Sequence, residues 1–97
     1  GHFPVKRVMP GVLVLECLAQ AGGFMLLTTI ENPEKVLLYF TGLDEVRFRN
    51  SVVPGDQIRL VVKMVQSRLS MCKMRGVAYV NDEVVVEANM MASLVEL

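Results

Sequence analysis

The chain has 97 residues, ten basic and ten acidic side chains that cancel at pH 7, and 53 % hydrophobic residues. That is one domain of a size that buries a limited share of its surface alone, so an oligomer is expected. The zero net charge and a pI near 6.8 exclude a nucleic-acid module built on a basic excess, while two cysteines without CxxC spacing and a single histidine exclude a structural metal and fit a reducing, cytoplasmic compartment.

The first predicted element is a short loop, Gly1 to Pro4. Pro4 fixes its own backbone and biases Phe3 away from helix, which holds His2 on irregular chain just ahead of a long apolar run. That run, Val8 to Ile30, VMPGVLVLECLAQAGGFMLLTTI, is long enough for five to six helical turns, with Pro10 suited to a first helical position. Glu16 is its only charged side chain, and Gln20, four residues on, shares its face. A helix apolar on nearly every side must be covered on every side. Glu16 then has two readings: a carboxyl in apolar surroundings that keeps a proton to donate, or one set in a gap where water or a partner neutralises it. Pro10, Glu16 and Gln20 make the run a costly membrane span, so none is expected. Gly22 and Gly23 imply that another backbone passes close by. Glu31, Asn32 and Pro33 end the helix.

From Lys35 the hydrophobic period changes to two. Val46 and Phe48 oppose Glu45, Arg47 and Arg49 in a first strand. The turn Pro54, Gly55, Asp56 has the type II pattern. Ile58, Leu60, Val62 and Met64 alternate with Gln57, Arg59 and Lys63. After a break at Ser67 to Ser70, Cys72, Met74, Ala78 and Val80 oppose Lys73 and Arg75. Asn81 and Asp82 form a tight hairpin connection lacking the usual glycine, and Val84, Val86, Ala88, Met90, Ala92 and Leu94 share a face of the last strand. One helix followed by four antiparallel strands is an α+β domain in which a single curved sheet covers one side of the helix. The other side calls for a second copy of the chain or for residues outside this sequence.

No glycine-rich phosphate loop, GxSxG elbow or cysteine with a histidine nearby in sequence is present. That leaves His2 and Glu16, an imidazole and a carboxyl able to act as an acid-base pair.

The segment GHFPVKRVMPGVLVLECLAQAGG closely resembles the signature of the FabZ-like (3R)-hydroxyacyl-[acyl-carrier-protein] dehydratases of the hot-dog fold, roughly GHFPxxPxMPGVLxxExxAQ. The match takes in His2, Phe3, Pro4, Met9, Pro10, Gly11, Val12, Leu13, Glu16, Ala19 and Gln20. It continues through YFTGLDEVRFRNSVVPGDQI and GVAYVNDEVVVEANMMA, and so spans nearly the whole chain.

The resemblance implies dehydration of a 3-hydroxyacyl thioester to a trans-2-enoyl thioester in fatty-acid elongation, with no metal and no organic cofactor. His2 would take the α-proton and Glu16 would protonate the departing hydroxyl, the two coming from different subunits of a homodimer that assembles further as a trimer of dimers. The backbone N–H of Gly11 would hold the thioester oxygen, Gln20 would orient Glu16, and Tyr39 would gate an acyl tunnel. Acyl carrier protein, an acidic partner, would dock on Arg68, Lys73 and Arg75, with Lys6 and Arg7 as further cations. Arg7 stands where the family has proline and Val5 where it often has glycine, which implies a looser loop at His2. The family also has a helix and a first strand ahead of the glycine-histidine pair, so residues 1–97 are expected to form a hot-dog domain lacking them. A hot-dog thioesterase and an inactive acyl-binding fragment are the alternatives.

Overall fold

A computed structural model of the protein describes residues 10–68 and 70–97; His2, Lys6 and Arg7 lie outside the described residues. Helix α1 runs from Gly11 to Thr28, followed by a short 3-10 turn, Pro33–Lys35, and four strands: β1 Val36–Phe48, β2 Arg59–Arg68, β3 Met71–Val80 and β4 Glu83–Glu96. The helix is shorter at both ends than its apolar run. Pro10 has ψ 135°, which is extended backbone, and its carbonyl accepts the Leu13 N–H at 3.0 Å. It therefore caps the helix, and Gly11 takes the first helical position. At the far end Thr28 and Thr29 turn their hydroxyls back onto the Met25 and Leu26 carbonyls, at 2.6 and 2.7 Å. That closes the last turn before Glu31 and Asn32.

The strands form one antiparallel sheet in the order β1-β4-β3-β2, as the period-two pattern predicts. Asn81 and Asp82 join β3 to β4 with φ values of 51° and 64°, so both take the left-handed conformation of a two-residue type I′ turn. They manage this without glycine because short polar side chains tolerate that region. Between β1 and β2 the predicted turn forms. Asp56 N–H donates to the Val53 carbonyl at 3.1 Å, the Asp56 carboxylate accepts the Val53 N–H at 2.9 Å, and Gly55 takes φ 94°, the positive value a type II turn requires. β2 and β3 continue to Arg68 and from Met71, closer together than the predicted break.

The helix lies on one face of the sheet. Val14, Leu18 and Leu26 are buried against Met74, Ala78, Val86, Met90 and Ala92. Each fully buried Leu or Met contributes about 1.5–3 kcal/mol relative to exposure. The paired glycines admit side chains rather than the backbone that the sequence leads one to expect. A Cβ on Gly22 would stand 3.2 Å from Met74 Sδ and 3.4 Å from Met90 Cε, and one on Gly23 would stand 3.2 Å from Leu38 Cδ2. Flexible methionine side chains fill the groove at Gly22. The opposite side of the helix is open in the single chain, with Phe24 72 % and Val12 66 % exposed.

Candidate active site

The amino end of α1 carries the densest group of predicted site residues. Gly11 is the first helical residue, where N–H groups have no partner within the helix and the helix dipole is positive. Glu16 and Gln20 follow on the side the sheet does not cover, and both are exposed. One chain by itself supplies no apolar enclosure for Glu16. A carboxyl on this face can exchange a proton with a group brought to it, and the N–H groups at Gly11 can bind an oxygen on which negative charge develops.

A cavity of about 390 Å³ opens beside Gly11, lined also by Pro10, Val12, Phe48, Asn50 and Val52. The Phe48 ring lies directly on Gly11: a Cβ there would stand 2.8 Å from ring atom Cε1 and closer still to Cδ1. Such contacts are unavailable to any residue with a side chain, so glycine is required here for close approach.

Phe48 is presented by an irregular end of β1. The register against β4 slips between Phe40 and Gly42 and again between Asp44 and Arg47, and Glu45 in the second slip takes φ 50°. These are β-bulges, which bend a strand and re-aim its side chains. After the second, Arg47 pairs with Glu87 on the sheet face away from the helix, and Phe48 pairs with buried Val86 on the face toward it. The outer face carries a polar network. Arg49 donates Nε and Nη2 to the two Glu87 oxygens at 3.1 and 3.2 Å. Arg75 donates to Glu87 at 2.9 Å and to Asn89 Oδ1 at 3.0 Å, and Asn89 Nδ2 donates to Glu45 at 3.0 Å. Hydrogen bonding from Arg49 holds the Glu87 carboxyl below its ordinary range against the opposing effect of desolvation; the same bond raises Arg49. Sequence reasoning did not find this network. The signal was present in Glu87 and Asn89, two polar residues at period two inside the otherwise apolar run VVVEANMM.

Among the described residues, the other predicted ones are not gathered at Gly11. Arg68 and Lys73 line a cavity of about 300 Å³ with Gln66, Met71 and Met91 at the β2–β3 turn. This turn lies toward the carboxyl end of α1, where Ser70 and Ile30 share another cavity. A helix of 18 residues is about 27 Å long, so the cations and Gly11 sit at opposite ends of one chain. Arg75, expected with them on a docking rim, is instead engaged by Glu87, Asn89 and Glu45, because strand pairing sets those groups beside it. Tyr39 pairs with Ser93 on the face away from the helix and is 46 % exposed. Among the described residues no group of three His, Cys, Asp or Glu side chains is placed to hold a metal ion.

Known proteins resemble the chain at two levels, shape and sequence. Solved structures of matching shape include a Bartonella henselae protein described as a probable thioesterase, with a TM-score of 0.76 at 13 % identity over 92 % of this chain and 75 % of that one. Another is a Bacillus halodurans protein determined with CoA, with a TM-score of 0.79 at 16 % identity over 96 % and 62 %. At such identities the likeness concerns the fold alone, and the fold is the hot-dog: one helix against a four-stranded antiparallel sheet. Sequence relatives are much nearer. The chain is 46 % identical over 93 residues to the 3-hydroxyacyl-[acyl-carrier-protein] dehydratase FabZ of Histophilus somni, covering 96 % of this chain and 62 % of that protein. It is 47 % identical over 100 residues to FabZ of Shewanella putrefaciens, covering 100 % and 65 %. It is also 43 % identical over 96 residues to the bifunctional enzyme LpxC/FabZ of Chlorobaculum tepidum, 99 % of this chain but 21 % of that protein. The chain therefore spans about three fifths of the length of these FabZ relatives. The FabA-like domain model matches residues 1–89, and with that match the chain belongs to the FabA-like domain family.

Proposed function

We propose that the protein is a 3-hydroxyacyl-[acyl-carrier-protein] dehydratase, a hydro-lyase of fatty-acid synthesis. The observation that carries this reading is the placement of the helix residues. Glu16, the one charged residue of α1, stands with Gln20 on the side free of the sheet, Glu16 itself less than two turns from Gly11 at the positive end. In the reaction His2 removes the α-proton of the substrate. The negative charge that develops on the thioester oxygen is met by the Gly11 N–H. The Cα–Cβ double bond forms as the β-hydroxyl departs with the proton of Glu16, giving water and a trans-2-enoyl thioester. His2 then holds the proton taken from the substrate while Glu16 has lost its own, and exchange with water resets both. Gln20, one turn beyond, orients the Glu16 carboxyl.

A second copy of the chain completes the site. Glu16 sits on an open apolar face, and a homodimer that covers this face encloses the carboxyl and brings it the partner's His2, Tyr39 and cation cluster; three such dimers form the hexamer. The carrier protein then docks on Arg68 and Lys73, while Arg75 serves the sheet network. Free thiols at Cys17 and Cys72 suit a reducing cytoplasm. The test is an absorbance assay for enoyl formation from a 3-hydroxyacyl thioester. Turnover by the wild type that is lost in His2→Ala and Glu16→Gln is the expected result. Release of free thiol instead identifies a thioesterase, and no product of either kind identifies an acyl-binding fragment.

A further inference from the structure

Resting on the dehydratase reading, we propose that Phe48 is a positioning residue: its ring, anchored through the Arg49–Glu87 pair, sets the place of the Gly11 peptide that receives the thioester oxygen. The first turn of a helix lacks intrahelical bonds to its N–H groups, so its position depends on what packs against it. At Gly11 that neighbour is the Phe48 ring, within contact of the bare Cα. The backbone just after Phe48, from which the ring is presented, is held in place. Arg49 N–H donates to the Val85 carbonyl at 2.8 Å and Asn50 N–H to the same oxygen at 3.4 Å. Asn50 Nδ2 donates to the Val84 carbonyl at 2.7 Å, and the Arg49 guanidinium grips both oxygens of Glu87. Glu87 is in turn held by Arg75, so β3, β4 and the end of β1 are tied together behind the ring. The half-exposed ring, at 54 %, would be a poor choice for core packing alone, but a flat ring carried on a held backbone and laid against Gly11 fits a group that must fix a backbone donor. An oxyanion donor acts only when placed to within a fraction of an ångström.

The experiment uses the full-length protein and two readouts. The first is kcat and KM for a 3-hydroxyacyl-N-acetylcysteamine thioester. The second is the amide resonance of Gly11 in protein labelled at its seven glycines, titrated with butyryl-N-acetylcysteamine, which has no hydroxyl to lose. In the wild type the Gly11 resonance should move on titration. Phe48→Ala should lower kcat by about ten- to a hundredfold, the range for a misplaced catalytic group, with KM little changed and the Gly11 response lost. Arg49→Gln, which loosens the anchor and leaves the core intact, should do the same to a smaller extent, and it carries the test if Phe48→Ala does not fold. The proposal is overturned if either folded variant keeps wild-type kcat and the Gly11 response, or if the loss lies in KM alone. A wild type that forms no enoyl product overturns the dehydratase reading itself, a result distinct from an active wild type with indifferent variants.

Discussion

The two sides of helix α1 make opposite use of one apolar sequence. Toward the sheet, Val14 and Leu18 are fully buried and Leu26 nearly so, and the glycines at 22 and 23 let methionine and leucine side chains close the gaps. Away from it, Val12, Leu13 and Phe24 stay exposed beside Glu16, Cys17 and Gln20. Hydropathy alone does not distinguish the sides, since 18 residues of this composition would also suffice to cross a membrane. Position relative to the sheet does. One side holds the fold together, and the other is left open in the single chain, where the proposed dehydratase site and second copy would lie.

Substitutions on the two sides should therefore separate activity from stability. The largest effect is expected at Glu16→Gln, where loss of the acid should lower kcat by about 10²–10⁴-fold while stability moves by no more than about 0.5 kcal/mol. Turnover and a thermal melt on the same sample check both halves, and a variant that melts early would place Glu16 in the core. Leu18→Ala should show the reverse, costing about 2–5 kcal/mol from the cavity it leaves, read as a lowered denaturation midpoint. A smaller loss is expected for Gly76→Ala on the buried face of β3. Its Cβ would lie 2.8 Å from Met90 Cε and 3.3 Å from Leu18 Cδ2. The methionine end can yield, so overpacking should cost about 1–3 kcal/mol, and a neutral substitution would show that this layer is looser than its distances indicate.

The smallest effect concerns the outer face and is seen only in acid. Glu87 is held below its ordinary range in the folded protein, chiefly by the hydrogen bond from Arg49. Its contribution is complete above the pH at which an unfolded glutamate titrates, and it disappears as pH falls through the lower folded value. Denaturation curves from neutral pH downward should lose stability in that window, and Glu87→Gln should flatten the loss. An unchanged acid limb would mean that the pair contributes no net stability.

Much of this architecture was legible in the residues. Strands β1 to β4 followed from alternation, the Val53–Asp56 turn from proline and glycine, and the hairpin from Asn81 and Asp82. The helix bounds were not, because apolarity continues past both ends and the stop is set by the Pro10 backbone and the Thr28 and Thr29 hydroxyls. The bulges escaped for a different reason, since an extra residue in β1 is defined only against its partner strand. The same holds for Arg75. A lone cation on a strand face looks free in sequence, yet its partners lie 12, 14 and 30 positions away. Of the candidate site, the shared face of Glu16 and Gln20 could be read from spacing within one helix and Gly11 only from the family resemblance, whereas Phe48 could be read from neither, because the part proposed for it depends on a contact between residues 37 positions apart.

The Asn81–Asp82 connection also bears on how the chain reaches this state. β3 and β4 are joined by these two residues alone, so their pairing closes a very small loop and costs little chain entropy. Their contacts are local, and local contacts form fastest. These strands also form the centre of the sheet, onto which β1, β2 and the helix must later dock. A substitution that forbids the left-handed turn, such as Asp82→Val, should therefore slow refolding more than it speeds unfolding, making two surface residues the timekeepers of assembly.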